Sequence, residues 1–326
     1  MRLSDRAVEA VAYLGLGGDS AFDPAGTCFF VCIGPHNYLV TADHVARVVG
    51  DGGFDVRLTR NTDGLAQCQR IDYAKWIRHP TQADKVDLAV LEFEFPDWVR
   101  TGIISERSFL TDFKRGTKAI GPGDLAYLVG LFQPLYGKHK NMPAVHTGHI
   151  SLIQDDELLP VQNWLKPSGP PIEVEAYLVQ VQNPLPGVSG APVFVRRSIK
   201  RRLHDKDIDP NPAGIEIWNH GSLWLLGVWT DAWYENLKLQ APKGGEVTIP
   251  TGMGAVVPVR KLIETLNQPA LQAGREARKQ QQDRSCMPQK TGSNAVAKVR
   301  EETLSTMLAT PPRKRTQSAK RRVSSK

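Results

Sequence analysis

Pro186-Gly187-Val188-Ser189-Gly190-Ala191-Pro192-Val193-Phe194 sets one serine between two glycines at the mouth of an apolar run. Glycines let the backbone turn tightly, and in such a turn the amides of Gly187 and Ser189 can converge on one point. Amides aimed that way stabilise a developing oxyanion, each by about 3 kcal/mol. A serine hydroxyl is a weak nucleophile until an imidazole takes its proton and a buried carboxylate fixes the imidazole's tautomer. The plain alternative is a Gly/Ser/Pro turn between two strands. An α/β-hydrolase elbow, Gly-x-Ser-x-Gly, is disfavoured because position 191 is Ala and only His204 and His220 follow the serine, both in a loop-like region.

Upstream stand candidates for the two partners. Thr41-Ala42-Asp43-His44-Val45 ends the apolar run Tyr38–Thr41 and presents an imidazole at its tip. Asp87-Leu88-Ala89-Val90-Leu91 puts a carboxylate at the start of another run, where it can accept the imidazole Nδ1–H. Asp84 is the rival, but Asp87 directly abuts the apolar residues. Either aspartate could instead be a turn residue opening a strand.

Working outward, residues 25–100 alternate short apolar runs with turn clusters: Thr27–Ile33, Tyr38–Thr41, Phe54–Leu58, Ile71–Ile77 and Leu88–Phe95, broken by Gly34-Pro35-His36-Asn37 and Gly50-Asp51-Gly52-Gly53. Residues 6–14 read as a short helix or strand, and Val45–Val49 as one helical turn. Residues 101–123 form a crossing segment. A second strand set follows at Leu125–Leu131, Val145–Ile153, Glu173–Val181, Ala191–Val195, Ser222–Thr230 and Gly254–Val257, with surface loops at Gln133–Pro143 and Arg196–Asn219. Val259, Leu262, Ile263 and Leu266 mark one face of a closing helix, over 258–268, that Pro258 opens and Pro269 ends. The pattern is all-β.

The net charge of +7 is unevenly placed. Residues 270–326 hold 14 of the 41 Lys and Arg against 4 of the 34 Asp and Glu, a net +10, which leaves −3 for residues 1–269. The basic segment lacks aromatics and carries Gln280-Gln281-Gln282 and Pro311-Pro312-Arg313-Lys314-Arg315, a composition that reads as a disordered tail. It is either a solubilising tail or a tether to nucleic acid or another polyanion. Of the four cysteines, Cys28 and Cys32 would stand roughly 13 Å apart along a strand, too far to pair, and on one face. Residues 1–16 read as neither a secretory signal nor a membrane span, so a reducing cytoplasmic setting is expected. His146 and His149 lack the companions of a zinc site, and no phosphate loop is present, so neither metal nor cofactor is expected.

The strings together resemble the trypsin-like serine peptidases, and among them the HtrA-type and bacterial intracellular members. The matches are Gly26-Thr27, Thr41 to Val45, Asp87 to Leu91, Gly187 to Gly190, Leu226-Gly227-Val228 and Gly252 to Val259, spread over residues 26–266. The resemblance implies two packed six-stranded antiparallel barrels, one over about 20–112 and one over about 120–258, with the site between them. It implies that His44, Asp87 and Ser189 are catalytic in a serine-type endopeptidase, with the amides of Gly187 and Ser189 as the oxyanion hole. A polypeptide substrate would lie along Leu226, Gly227, Val228 and Trp229, its side chain beside Asn183. Core packing is the plain alternative for Trp224, Trp229 and Trp233. A non-catalytic peptide-binding module on the same fold is the alternative function. The 57 residues after 269 do not have the composition of the PDZ domain that usually follows an HtrA-type peptidase.

Overall fold

A computed structural model describes residues 4–111, 120–153, 157–166, 168–182, 187–203, 215–238 and 246–286. The chain divides into two units, Met1–Ala273 and Gly274–Lys326.

A short helix, α1 (Asp5–Glu9), leads into β1 (Val11–Leu16), so residues 6–14 are a helix and then a strand. β2 (Asp23–Ile33) and β3 (His36–Thr41) form a hairpin, and α2 (Asp43–Val49) follows at once. β4 (Phe54–Arg60), β5 (Ala66–Ile71), β6 (Ile77–Arg78), β7 (Ala89–Glu92), β8 (Val99–Arg100) and β9 (Ile104–Ser105) complete the first sheet. Its hydrogen-bonded order is β5-β4-β1-β2-β3-β7-β6, with β8 on β4 and β9 on β2. Six of the nine strands have four or more residues. The other three (β6, β8 and β9) are two-residue pairings, too short to leave a period in the sequence. Ile71 and Ile77, expected in one strand, end β5 and open β6 with non-strand residues between.

The second half closes into a six-stranded barrel in the order β10-β11-β14-β17-β16-β15. Its strands are β10 (Leu125–Gly130), β11 (Ala144–Leu152), β14 (Tyr177–Val181), β15 (Pro192–Leu203), β16 (Ile215–Lys238) and β17 (Glu246–Pro258). A separate hairpin, β12 (Leu159–Val161) with β13 (Ile172–Val174), branches from it. The expected strand over Glu173–Val181 is therefore two, split at Glu175-Ala176. The loop expected over Arg196–Asn219 is largely ladder: β15 and β16 stay paired out to Leu203↔Ile215. Residues 204–214 lie outside the described residues.

β2 shows what joins the halves. Its even-numbered Cys28 and Phe30 pack with Leu14, Leu39, Phe54 and Val56 in a cluster of the first sheet alone. Its odd-numbered Phe29 and Val31 pack in a cluster that continues through Tyr38, Leu88 and Val90 into Leu128, Val193 and Val228 of the barrel. Period-two alternation thus sends one strand's side chains to both cores. The loop Gln133–Pro143 is also anchored. The buried Arg57 donates to the carbonyls of Gly137 and Lys138 and to Asn141 Oδ1, and lies over the ring of Tyr136.

α3 (Val259–Leu266) follows Pro258 as expected. Pro269 does not only end it: α4 (Pro269–Cys286) begins there, so the segment expected to be disordered from 270 opens as a helix. Proline is pre-organised for a first helical position, and the Ala, Gln, Arg and Glu that follow are good helix formers. Residues 287–326 lie outside the described residues. Among the described residues no helix is long and apolar enough to cross a membrane.

Candidate active site

β3 ends at Thr41, and the chain enters α2 with His44 in its first turn. Asp43, beside it, is fully buried. It accepts from Arg47 Nε at 2.7 Å and from Arg78 Nε at 2.6 Å, which ties the start of α2 to β6. Asp87 sits at the entrance to β7. Its Oδ1 accepts from the backbone N–H of His44 at 2.9 Å, and its Oδ2 meets His44 Nδ1 at 2.7 Å. Two bonds to one residue fix both the turn and the ring. A carboxylate can only accept, so Nδ1 carries the proton and Nε2 of the neutral ring remains an acceptor. The Asp87 side chain is 6% exposed and that of His44 29%, so the carboxylate is sheltered while the imidazole faces the cavity. The rival Asp84 is exposed.

Charge around the ring follows. Burial pulls the His44 pKa down, but the carboxylate of Asp87 outweighs it, helped by Asp231 and Asp43, and the net shift is upward. Asp231 is also shifted up, mainly by burial and further by Asp87.

Ser189 is positioned by backbone. Its carbonyl accepts from Thr27 N at 3.0 Å, and the neighbouring Gly190 N donates to Trp229 O at 2.8 Å. Thr27 Oγ1 donates to Gly187 O at 2.8 Å and accepts from Leu131 N, so one β2 threonine staples the serine turn to both halves. Gly190 holds φ +85°, and a Cβ there would lie 2.2 Å from Thr27 O and 2.3 Å from Thr41 Oγ1. Glycine is the only residue that fits. Gly187, at φ +95°, has the left-handed backbone that this turn needs. The Ser189 hydroxyl donates to Thr230 O at 3.3 Å.

His44, Asp87 and Ser189 line one cavity of about 470 Å³ with Arg47, Val48, Lys85, Thr230, Asp231 and Val257. The β12–β13 hairpin supplies the facing wall through Val161, Gln162, Asn163, Trp164, Val174 and Ala176.

The expected substrate strand needs correction. Leu226, Val228 and Trp229 are fully or almost fully buried. Gly227 pairs with Val193 of β15 and Pro258 of β17, and Val228 with Pro192 and Val257. A strand paired on both sides has no edge to offer. The cavity is reached one step later, at Thr230 and Asp231, beyond the last β15 pairing at Pro192↔Val228. Core packing is thus the role of Trp229, and Trp224 and Trp233 pack against core clusters. Asn183 lies outside the described residues. Sequence reading missed Asp231 and the hairpin wall. Asp231 had a signal: it follows the buried run Leu225–Trp229 much as Asp87 precedes one.

No group of three or more His, Cys, Asp or Glu that could hold a metal occurs among the described residues. Cys28, Cys32 and Cys68 are free thiols; Cys28 is buried and Cys32 half-buried, so the shared face expected of them is only partly enclosed.

The two halves make a nine-stranded sheet and a closed six-stranded barrel, with the site between them. No family model matches the chain, and no curated protein does. Among solved structures it is similar to human heparin binding protein, with TM-score 0.44 and 11% identity over 82% of this chain and 96% of that one. An atomic-resolution structure of HBP gives 0.43 and 13% over the same shares. A double mutant of human heparin binding protein (CAP37) gives 0.45 and 12%, again over 82% and 96%.

Proposed function

We propose that the chain is a serine endopeptidase. Ser189 attacks the scissile carbonyl while His44 Nε2 takes its proton and later delivers it to the leaving amine. Asp87 holds the ring and stabilises the imidazolium, and water then releases the acyl group by the same route in reverse. The amides of Gly187 and Ser189 receive the oxyanion. The observation that carries this reading is the doubly bonded Asp87–His44 pair opening on the cavity that Ser189 also lines. The motifs favour the HtrA-type branch, and the free thiols are consistent with the cytoplasm. The test is terminal sequencing of fragments after incubating the full chain with a denatured polypeptide mixture. New amino termini are expected with the wild type and none with Ser189→Ala; equal fragments from both would overturn the reading.

One observation favours a second reading, a non-catalytic peptide-binding module. The Ser189 hydroxyl donates to Thr230 O rather than to the imidazole of His44. Peptide affinity unchanged by His44→Ala, with no new termini from the wild type, would establish it. In either case the basic segment after residue 269 is proposed to tether the protein to a polyanion. Nucleic-acid affinity should then fall steeply with salt and be lost on deletion of residues 287–326.

A further inference from the structure

The cavity beside Ser189 holds a carboxylate that the triad chemistry does not use. Asp231 stands directly after Thr230 on β16, where pairing to β15 has ended. Its two oxygens are aimed by main chain: Oδ1 accepts from Ala232 N at 2.8 Å and Oδ2 from Gln162 N at 3.3 Å. Each oxygen has lone-pair capacity beyond one such bond. No ion pair joins Asp231 to a Lys or Arg among the described residues.

The cations on the same cavity are engaged or peripheral. Arg47 Nε donates to Asp43 at 2.7 Å, and Lys85 is exposed at the rim beside Asp87. The charged neighbours that act on Asp231 are Asp87, which disfavours its ionised form, and His44, which favours it. A half-buried carboxylate near another carboxylate, with no Lys or Arg paired to it among the described residues, gains from a bound cation. The cavity that Asp231 lines is also lined by the apolar Val161, Val174, Ala176 and Val257 and by Trp164, beside the polar Gln162 and Asn163. Apolar lining beside a carboxylate suits the methylene stem of a long side chain with a cationic end.

Resting on the endopeptidase reading, we infer that Asp231 is a specificity-determining residue that selects polypeptides with a Lys or Arg side chain near the scissile bond. The chosen side chain belongs to the acyl half, because the open edge of β16 beyond Thr230 is what an extended acyl segment can pair with.

The experiment uses the full chain and four peptide series, one for each of the four positions before the cleaved bond, identical within a series except for Lys, Arg, Gln, Leu or Glu at that position. The expected result is a kcat/KM at least tenfold higher for Lys or Arg than for Gln at one of these positions. That ratio should collapse towards one in Asp231→Asn and reverse in favour of Glu in Asp231→Lys. A ratio unchanged in Asp231→Asn, or a wild-type preference for Glu through Lys85, would overturn the inference. A loss that is equal for Lys and Gln peptides would also overturn it, since Asp231 would then act only through His44. Fluorophosphonate labelling of the wild type separates the two claims: labelled protein without a basic preference defeats only this inference, whereas unlabelled, inactive protein defeats the endopeptidase reading itself.

Discussion

The two halves of the body hold their shares of the site by different means. The first half fixes the His44–Asp87 pair through side chains: Asp43 between Arg47 and Arg78, and Asp87 against both the ring and the amide of His44. Ser189, in the second half, is fixed mainly through main chain: its carbonyl accepts from Thr27 N across the two halves, Gly190 N donates to Trp229 O, and Gly187 and Gly190 are left-handed. A base must be oriented and electrostatically poised, which side chains do. In the proposed endopeptidase, a nucleophile between oxyanion donors would need its backbone in one shape, which turn geometry supplies. The first half should therefore respond to charge changes and the second to added bulk.

The largest expected effect is on the charge side of the site itself. Asp87→Asn keeps the shape of the pair but allows the wrong tautomer, and kcat/KM should fall roughly 10⁴-fold in peptide-cleavage kinetics. Next, Asp43→Ala leaves two arginines facing a buried void. A loss of about 3 kcal/mol in urea unfolding is expected, with Arg47 and Arg78 partly solvated in compensation. On the backbone side, Gly190→Ala forces a Cβ against Thr27 O and should lower unfolding free energy by about 2 kcal/mol, while conservative charge changes nearby leave that turn intact. The smallest mutational effect belongs to a tie shared by both halves. Lys261 Nζ reaches Gln82 of the loop before Asp87, Glu264 on α3 and Glu175 behind the hairpin wall. Lys261→Met should cost about 1 kcal/mol, because its acidic partners remain in part solvated.

The pH dependence sharpens the same contrast. The His44 pKa is raised above its usual 6.5, so the acid limb of kcat/KM should lie above that value and move down in Asp87→Asn. The protonated ring is favoured in the folded chain. Its contribution to stability is therefore complete below the unfolded value and fades as pH rises through the folded one.

Legibility from sequence followed the same division. His44, Asp87 and Ser189 each adjoin an apolar run of four or more residues, and those runs became β3, β7 and β15. Strings of that length carry a period that can be read in one dimension. The cavity wall could not be read this way: β12 and β13 have three residues each, and Val161 and Val174 meet only because the hairpin folds. Leu226–Trp229 misled for a related reason. Their apolar character signals strand, but whether a strand has a free edge depends on what pairs on both sides, and here β15 and β17 do. Nothing in the sequence around Asp43 signals its role. Its partner Arg78 is 35 positions away, and only the fold brings the two together.

The most direct measurement is mass-spectrometric localisation of a fluorophosphonate adduct on the folded full chain. The account predicts one adduct, on Ser189, formed by the wild type and lost when His44 is replaced by Ala. A folded wild type that stays unmodified, or an adduct on another residue, would contradict it.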